Sequence, residues 1–487
     1  MGLLFGENLH RWCPLMMNLK TILLLLLSVS MLGASVQAAK TDKMNVLFLV
    51  IDDLNTWLLS DPDRYAGKVH TPNIRKLADS GVLFTQAFAA SPKCSPSRTA
   101  FLSGVSPWKS GHTDNGLLVK GNPVLAKSIS LPKLFEDQGY YMATSGKISH
   151  GYDDGVSWGK VWRHKRDPAP PGTPFNGFAK AKNGKPTERD WGVTHLKETE
   201  MNDTLVADSA IEALKMKHDR PFFIACGLFH PHMPWYVPQK YFDLYPLDKV
   251  VPPPIKEDDL EDIPEPGKKL VSSTYLTAKE HDQYKKGVQA YLATTSYADY
   301  QMGRVLDTLE NSPYKDNTIV VLLSDHGFHV GEKTHWQKGT LWEEATNSLL
   351  MFRVPGMTQA KQVCQTPVSL MDLYPTITEL AGIQKPEYVD GQSLVPMLKD
   401  TNATRSEPVL TAYQQHISVR TEQYRLIRYG DGSLEFYDRC KDPNEWTNQS
   451  DNPDYAEIRK ELAAQLPEFE MLSYVRGKNK VKDQSKK

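Results

Sequence analysis

Acidic side chains follow two separate apolar stretches of the 487-residue chain, and a histidine accompanies the second group. Asp52 and Asp53 come directly after one stretch, and Asp325 and His326 come directly after the other. Carboxylates and an imidazole at strand ends are costly to bury without a counter-charge. A divalent cation would supply that charge, and oxygen-rich ligation favours Ca²⁺ or Mg²⁺ over zinc. Either pair alone could be a turn or cap carboxylate, but two pairs after two strands favour a metal site.

A cysteine stands at the start of a predicted helix, in the segment Cys94-Ser95-Pro96-Ser97-Arg98. A single cysteine in an exported protein is more often a structural or disulfide-bonded thiol than a nucleophile. Here a proline typical of a helix start follows closely, and the arginine falls in the first turn. An anionic or oxygen-rich group at position 94 would therefore face helix N–H donors and a fixed cation. The segment predicts a reactive position.

The elements that must position these residues alternate between strands and helices, which predicts an α/β fold with a largely parallel sheet. In open sheets of this class, ligands lie beyond the carboxyl ends of the strands. Lys147, His150 and His232 follow two further predicted strands, so we expect four strands to direct polar side chains to one place. The predicted strands are 45–51, 82–88, 140–145, 222–227, 318–323 and 349–354, and predicted helices include 131–138 and 284–309.

The pattern changes after about residue 400. Short alternating runs at 417–421, 424–429 and 434–437 predict a small antiparallel sheet, closed by a helix over 455–466. A polar linker at 401–408 separates the two parts. We therefore expect a catalytic domain over residues 40–400, a C-terminal α+β subdomain over 405–475 and a solvated basic tail over 476–487.

The N-terminus has the pattern of a signal peptide over residues 1–38. Lys20 precedes an apolar run that extends to Leu32, and Val36-Gln37-Ala38 is a small-x-small cleavage site. The alternative is a membrane anchor, but the run is shorter than the roughly 20 residues of a membrane span. We expect cleavage and export to the periplasm or medium, without stable membrane insertion.

The overall composition excludes several classes of protein. Apolar residues make up 40% and charged residues 24% of the chain, as in soluble globular proteins. The net charge of −1 provides no basic footprint for nucleic acid. Five cysteines are too few for a disulfide scaffold, and a bridge between Cys364 and Cys440 stays an open alternative.

The Cys-x-Pro-Ser-Arg segment resembles the signature of the type I sulfatases, whose cysteine is oxidised to formylglycine (3-oxoalanine). Within that family the chain is similar to the iduronate-2-sulfatase branch, although His230 stands where that branch typically has lysine. The resemblance implies an alkaline-phosphatase-like sandwich with a mixed, mainly parallel sheet and a small antiparallel C-terminal subdomain. The motifs that carry it, in chain order, are Asp52-Asp53, Thr71-Pro72-Asn73, Cys94–Arg98, Gly146-Lys147-Ile148-Ser149-His150, His230-Pro231-His232-Met233-Pro234, Ser324-Asp325-His326-Gly327, Trp336-Gln337-Lys338 and Tyr437-Asp438.

The resemblance also implies a mechanism. Hydrated formylglycine at position 94 attacks sulfur, and the sulfated enzyme then expels sulfate. One Ca²⁺ per subunit is held by Asp52, Asp53, residue 94, Asp325 and His326, and a maturase converts Cys94. In this scheme Arg98 orients the diol, Lys147 and Lys338 neutralise the sulfate oxygens, His150 takes the proton that triggers sulfate release, and His232 protonates the departing sugar oxygen.

The expected reaction is hydrolysis of a sulfate ester on an acidic sugar, similar to uronate 2-O-sulfate of a glycosaminoglycan or of an algal polysaccharide such as ulvan. Polar and aromatic residues near the motifs are candidates for substrate contacts: His112, Asp114, Asn115, His329 and Trp336.

Other activities remain as alternatives. One is an arylsulfatase or a choline-sulfatase-like enzyme, and another is a phosphonate or phosphate monoester hydrolase, since fold alone does not fix function. Such phosphatases usually combine a Ser or Thr nucleophile with two zinc ions, so Cys94 argues against them. A catalytically inactive carbohydrate-binding relative is a third alternative, but no residue of the expected set is missing.

Overall fold

The structure, a computed structural model, describes residues 43–59, 64–117, 119–152, 155–163, 165–180 and 187–468. The predicted signal peptide and the predicted basic tail lie outside the described residues, as do the last residues of the predicted C-terminal subdomain. Within the described ranges, no helix has both the length and the hydropathy needed to cross a membrane.

Strands and helices alternate through most of the described chain. The strands are β1 (Asn45–Ile51), β2 (Val82–Phe88), β3 (Tyr141–Gly146), β4 (Lys160–Arg163), β5 (Trp191–Val193), β6 (Phe222–Leu228), β7 (Trp235–Val237), β8 (Thr318–Ser324), β9 (His329–Val330), β10 (Trp336–Gln337), β11 (Asn347–Arg353), β12 (Gln362–Cys364), β13 (Val368–Ser369), β14 (Val409–Tyr413), β15 (His416–Arg420), β16 (Tyr424–Arg428) and β17 (Leu434–Asp438). The helices are α1 (Pro72–Ala78), α2 (Cys94–Ser103), α3 (Pro107–Ser110), α4 (Leu131–Asp137), α5 (Asn202–Lys215), α6 (Gln239–Phe242), α7 (Glu265–Lys268), α8 (Thr274–Glu280), α9 (Tyr284–Glu310), α10 (Glu343–Thr346), α11 (Leu373–Leu380), α12 (Val395–Lys399) and α13 (Ala456–Ala463).

A mixed, mainly parallel sheet forms the centre of the fold, as predicted. Among the described residues its strand order is β12-β2-β11-β8-β1-β6-β3-β4, with β13 paired to β2. Strand β11 runs antiparallel to both β2 and β8, and the other pairs are parallel. Two further small sheets, β5 with β7 and β9 with β10, were not predicted.

The apolar strands are buried because helices cover both faces of the sheet. In β1, Leu47, Leu49 and Ile51 belong to the core that α5 and α9 complete, whereas Phe48 and Val50 pack in the core beneath α2, α4 and α11. Successive side chains of a strand point to opposite faces, so a strand buried on both sides must be continuously apolar. That requirement explains why these strands could be located from the sequence.

Four neighbouring strands carry the polar residues singled out above. In the order β8-β1-β6-β3 they are parallel, so their carboxyl ends meet at one edge of the sheet. Asp325, Asp52, the segment 229–232 and Lys147 come directly after these ends. The topology therefore brings the motif residues together, as the sequence predicts.

The C-terminal part is a four-stranded antiparallel sheet, β14-β15-β16-β17, with α13 packed on it through Leu462. Its first strand is bonded to the catalytic part, because Ala412 N–H donates to the carbonyl of Ala90 at 2.9 Å and Thr411 Oγ1 donates to that of Ala89 at 2.7 Å. The antiparallel subdomain is thus confirmed, while its exact boundary at residue 405 stays a prediction.

The proline-rich segment 252–266 is anchored in the fold, since Asp259 and Ile263 are buried. Cys364 and Cys440 are both free thiols, the first buried and the second exposed, so the described cysteines form no disulfide.

Candidate active site

Cys94 is the first residue of α2, a helix that is buried along its whole length. Neighbouring groups fix the first turn of this helix. Ser95 N–H donates to Asn115 Oδ1 at 2.8 Å, and Ser95 Oγ lies 2.9 Å from His112 Nε2 and donates to the carbonyl of His150. The Cys94 side chain is therefore presented from a rigid helix N-terminus, where N–H groups favour negative charge.

The predicted metal ligands converge on Cys94. One ligand atom each of Asp52, Cys94, Asp325 and His326 lies within 4.8 Å of the others, and all four residues are buried. Asp53 adopts a left-handed conformation with φ of 64°, and its N–H donates to Asp325 Oδ1 at 3.3 Å. This turn places the consecutive carboxylates of Asp52 and Asp53 beside that of Asp325. In a continuing strand, successive side chains would point to opposite faces.

His326 is held with one ring nitrogen directed at Cys94. Its Nδ1 lies 2.9 Å from the carbonyl of Gly327, and its Nε2 lies 3.3 Å from Cys94 Sγ. Because a carbonyl only accepts, Nδ1 carries the proton, and Nε2 of a neutral ring is available as a ligand. This is the arrangement expected of a metal-binding histidine.

Arg98 ties three strand ends together. Its Nε donates to Asp325 Oδ2 at 2.8 Å, its Nη2 lies 3.4 Å from Asp52 Oδ1, and its Nη1 donates to the carbonyls of Lys147 and Ile148. The guanidinium is completely buried, and its planar fork matches several acceptors at once. Arg98 thus fixes the ligands around residue 94.

Two lysines pair with the same carboxylates. Lys147 pairs with Asp52, and Lys338 Nζ lies 2.7 and 2.6 Å from the two carboxylate oxygens of Asp53. The lysine side chains are about one-tenth exposed, whereas the aspartates are fully buried. Lys147 also lines a cavity beside the site.

The electrostatics show that the three carboxylates fit a cation. Burial raises the pKa of Asp53 to about 7 against the effect of Lys338, and burial likewise raises the pKa of Asp325. Asp52 Oδ1 has no hydrogen-bond partner among the described residues. Burial opposes the charge of Asp52 as well, but Lys147, His232 and Arg98 hold the pKa of this carboxyl well below its usual value. Together the three carboxylates form an oxygen-rich set, which suits Ca²⁺ or Mg²⁺.

The thiol at the centre is activated by its neighbours. Burial and the Asp52 carboxylate oppose ionisation, yet Lys147, Lys338 and His326 hold the pKa of Cys94 well below its usual value. A thiolate is the reactive form of cysteine, so this residue is chemically unlike the buried Cys226, whose pKa burial raises to about 12.

His232 and His150 complete the site. His232 Nδ1 lies 2.6 Å from the carbonyl of Met233 and therefore carries the proton, which turns Nε2 towards Asp53 Oδ2 at 3.9 Å. Burial and Lys338 lower the pKa of His232 well below its usual value. His150 Nδ1 is buried without a hydrogen-bond partner in the described structure. Both rings line a cavity of about 750 Å³ together with Lys147.

Comparison with known proteins agrees with this geometry. Residues 44–383 match the Sulfatase family, and residues 331–471 match the family described as N-sulphoglucosamine sulphohydrolase, C-terminal. The chain belongs to the sulfatase family. It is accordingly a sulfuric ester hydrolase of the formylglycine-dependent type.

Individual relatives cover most of this sulfatase. A protein named sulfatase from Formosa agariphila is 38% identical over 92% of each chain, and human iduronate 2-sulfatase is 32% identical over 73% of this chain and 72% of its own. The solved structure of a phosphonate monoester hydrolase from Silicibacter pomeroyi has a TM-score of 0.73 at 20% identity, covering 87% of this chain and 94% of that one. At this identity the structural match shows the fold alone.

Two of the predicted substrate-contact residues of the sulfatase are buried in the protein core. Trp336 requires correction, because its ring is fully buried and packs 5.6 Å from Trp191 and 5.7 Å from Trp235. His329 is also buried, between Thr340 and the Glu332 carbonyl. These side chains present no surface to a sugar.

The remaining candidates lie at the nucleophile helix. Asn115 and His112 bond to Ser95, so they hold the first turn of α2. Asp114 Oδ2 accepts from Gln414 Nε2 at 3.1 Å, which links this loop to the C-terminal sheet. A substrate contact by Asn115 or His112 stays a prediction.

Sequence analysis did not single out Asp203 or the cavity wall formed by Trp162 and Arg166. Asp203 lies 2.7 Å from His230 Nδ1, and although burial opposes the charge of His230, the contact with Asp203 raises the pKa of this histidine. An acidic residue in a helix first turn is common in any sequence, so only the fold reveals its partner.

Proposed function

We propose that this protein is an exported sulfatase that removes sulfate from an acidic sugar, such as the 2-O-sulfated uronate of a glycosaminoglycan or an algal polysaccharide. The observation that carries the proposal is that Cys94 lies among buried acids and two lysines, next to His232, which lines one cavity with Lys147 and His150. The same set of groups answers each chemical requirement of sulfate ester hydrolysis.

Residue 94 supplies the nucleophile once a maturase has converted Cys94 to formylglycine, whose hydrate offers a hydroxyl to sulfur. Asp52, Asp53, Asp325 and His326 would hold Ca²⁺, which when bound lowers the pKa of a neighbouring hydroxyl and stabilises negative charge. Arg98 keeps Asp52 and Asp325 in place during the reaction.

Lys147 and Lys338 receive the sulfate oxygens. Their ammonium groups lie against Asp52 and Asp53, close to residue 94, where they would stabilise the charge that develops as the ester bond breaks.

His232 protonates the departing sugar oxygen, and His150 takes the proton that triggers sulfate release. The neighbouring lysines and burial keep His232 neutral in the free enzyme, but an anionic ester in the cavity would favour its protonated form. The proton on Nδ1 is fixed by the Met233 carbonyl, so Nε2 is the atom that exchanges a proton with the leaving group.

The cavity and the relatives support the proposed substrate class. The cavity is lined by Trp158, Trp162 and Arg166 in addition to the catalytic groups, and aromatic faces with a cation suit an acidic sugar. Similarity to human iduronate 2-sulfatase supports a uronate 2-O-sulfate. The signal-peptide pattern of residues 1–38 supports export to the compartment where such polysaccharides are degraded.

The test compares kcat/KM for sulfated disaccharides of heparin, chondroitin and ulvan with that for 4-nitrocatechol sulfate. We expect a sugar ester to be preferred, because remote contacts align it and a small aryl ester lacks them. A preference for the aryl ester would overturn the substrate assignment. The mass of the tryptic peptide containing residue 94 tests the nucleophile separately, since unmodified cysteine from the native host would contradict formylglycine chemistry.

A further inference from the structure

One buried carboxylate fixes the loop that carries His232. Asp203, in the first turn of α5, accepts the backbone N–H of Phe229 at 2.9 Å and that of His230 at 2.8 Å, and its Oδ2 lies 2.7 Å from His230 Nδ1. Asp203 is completely buried. Three bonds to one carboxylate therefore define the chain direction immediately before His232.

The rest of the loop transmits this anchoring to the imidazole. His232 N–H donates to the carbonyl of Phe229 at 2.9 Å, and the two rings lie 4.5 Å apart. On the other side, Trp235 Nε1 donates to the carbonyl of Pro231 at 2.5 Å. A shift of residues 229 and 230 would thus displace the His232 ring, whose Nδ1 is bonded to the carbonyl of Met233 in the same loop.

The packing of α5 on the sheet does not require the Asp203–His230 pair. Helix α5 already packs on the sheet through apolar residues such as Val206 and Ala210. A buried ion pair contributes little net stability compared with apolar residues of similar size, so its presence needs another explanation. Displacement of a catalytic group by about 1 Å can cost about a hundredfold in rate, which makes precise anchoring valuable here.

We propose that Asp203 and His230 form a positioning pair that holds His232 in the orientation needed to protonate the leaving sugar oxygen. This inference rests on the proposed function, because only a poorly acidic alcohol requires that proton. A phenol with strongly electron-withdrawing substituents leaves without it. Loss of the pair should therefore impair hydrolysis of a sugar sulfate far more than hydrolysis of an activated aryl sulfate.

The experiment measures kcat and KM of the full chain on the best-cleaved sugar sulfate and on 4-nitrocatechol sulfate. Asp203→Asn and His230→Leu break the pair, and His230→Lys restores a cationic donor opposite Asp203. His232→Ala provides the reference for complete loss of the acid. Asp208→Asn is the matched control, since Asp208 lies on the same helix but is exposed and pairs with Arg304.

We expect Asp203→Asn and His230→Leu to lower kcat on the sugar ester by about tenfold to a hundredfold while KM changes less than about twofold. Activity on the aryl ester should stay within about threefold, as for His232→Ala, because its leaving group needs no acid. His230→Lys should recover most of the sugar activity, and Asp208→Asn should behave as wild type. If His230→Leu does not fold, Asp203→Asn and His230→Lys still decide the question.

Equal losses on both substrates, or no loss on either, would overturn the positioning role while leaving the sulfatase activity established. Failure of His230→Lys to exceed His230→Leu would contradict the ion-pair argument. Wild-type protein that releases sulfate from neither substrate would instead refute the proposed function itself.

Discussion

Two clusters of buried charged residues in this molecule differ in how their carboxylates are paired with cations. Where the C-terminal sheet meets the segment before β11, Glu343 Oε2 lies 3.2 Å from Arg420 Nε and also pairs with Arg425, and Arg439 Nη2 lies 3.4 Å from Glu343 Oε1. Burial opposes the charge, but Arg439, Arg420 and Arg425 hold the pKa of Glu343 well below its usual value. Each carboxylate oxygen of Glu343 is thus paired with an arginine.

The acids around residue 94 differ among themselves. Burial opposes the charge of Asp52, but Lys147, His232 and Arg98 hold its pKa well below the usual value, whereas burial raises the pKa of Asp325. The pKa of Asp53 rises to about 7, and Asp52 Oδ1 has no hydrogen-bond partner among the described residues. Three guanidinium groups surround Glu343, whereas one guanidinium, that of Arg98, and two lysines share the three acids of the site. We infer that Glu343 serves the architecture and that the acids at the strand ends suit an additional cation.

The largest expected effect on activity is that of replacing Cys94, which lies among the acids at the strand ends. Cys94→Ala should lower sulfate release by at least about a thousandfold, because loss of a nucleophile normally costs orders of magnitude. The protein should still fold, since only the small thiol group is removed from the buried N-terminus of α2. Sulfate release and thermal melting measured on the same preparation check both statements, and residual activity above about a thousandth of wild type would contradict the covalent mechanism.

Neutralising one acid in each cluster tests the comparison directly. Asp325→Asn should lose calcium and activity together, because a ligand is removed, with some loss of stability as the remaining acids repel. Glu343→Gln should retain stoichiometric calcium but lose about 3–5 kcal/mol of unfolding free energy, because it strands buried guanidinium groups. Elemental analysis and denaturant unfolding of both variants provide the measurement.

The reverse outcome would break the comparison. Calcium retained in Asp325→Asn, or lost in Glu343→Gln, would show that the acids at the strand ends do not form the metal site. Stoichiometric zinc without calcium in the wild type would refute the assignment of the ion.

A third prediction concerns pH. The folded-state pKa of Asp53 lies above its usual value of 3.8, so the folded state binds more protons than the unfolded state between about pH 4 and pH 7. Its contribution to the stability of the metal-free protein therefore falls as pH rises through that window. Glu343 has the opposite sign, because its lowered pKa contributes stability that is lost as pH falls below about 4.5.

Unfolding free energies measured from about pH 3 to pH 8, with chelator and with calcium, separate the contribution of Asp53 from that of Glu343. We expect calcium to flatten the pH dependence, since the cation favours the ionised carboxylate. Asp53→Asn in chelator should show a shallower slope than wild type. If calcium left the slope of the wild type unchanged, the inference that the acids around residue 94 bind a cation would be contradicted.

The sequence was most informative where local pattern and tertiary requirement coincide. The bounds of β1 agree with the predicted ones, because a strand covered on both faces must be continuously apolar. The bounds of β2 also agree, although Thr85 and Gln86 interrupt its apolar residues. Strand β11 begins two residues before its predicted start, since the polar Asn347 and Ser348 are buried within it. The strands β5, β7, β9 and β10 have two or three residues each, too few for a recognisable period.

The residues of the candidate site also differ in whether a local sequence pattern reveals them. Asp52, Asp325 and His326 could be found because they directly follow apolar strands. Lys338 was indicated only by family resemblance, and its contact with Asp53 spans 285 residues of sequence. Which side chains are exposed to a substrate depends on distant partners, so the aromatic and polar candidates near the motifs could not be sorted from the sequence.

The smallest expected effect on activity is that of substituting Trp336, a core residue, which can be compared with substituting a residue of the cavity wall. Its ring is enclosed by Trp191, Trp235 and Tyr284, so Trp336→Phe should cost about 1–3 kcal/mol of unfolding free energy, the usual range for a core substitution. KM for the sugar ester should not change, because no part of the ring is exposed. Trp162→Phe is the matched substitution in the cavity wall and should raise KM with a smaller loss of stability. If Trp336→Phe raised KM at unchanged stability, this ring would belong to the substrate site and the core packing described here would be wrong.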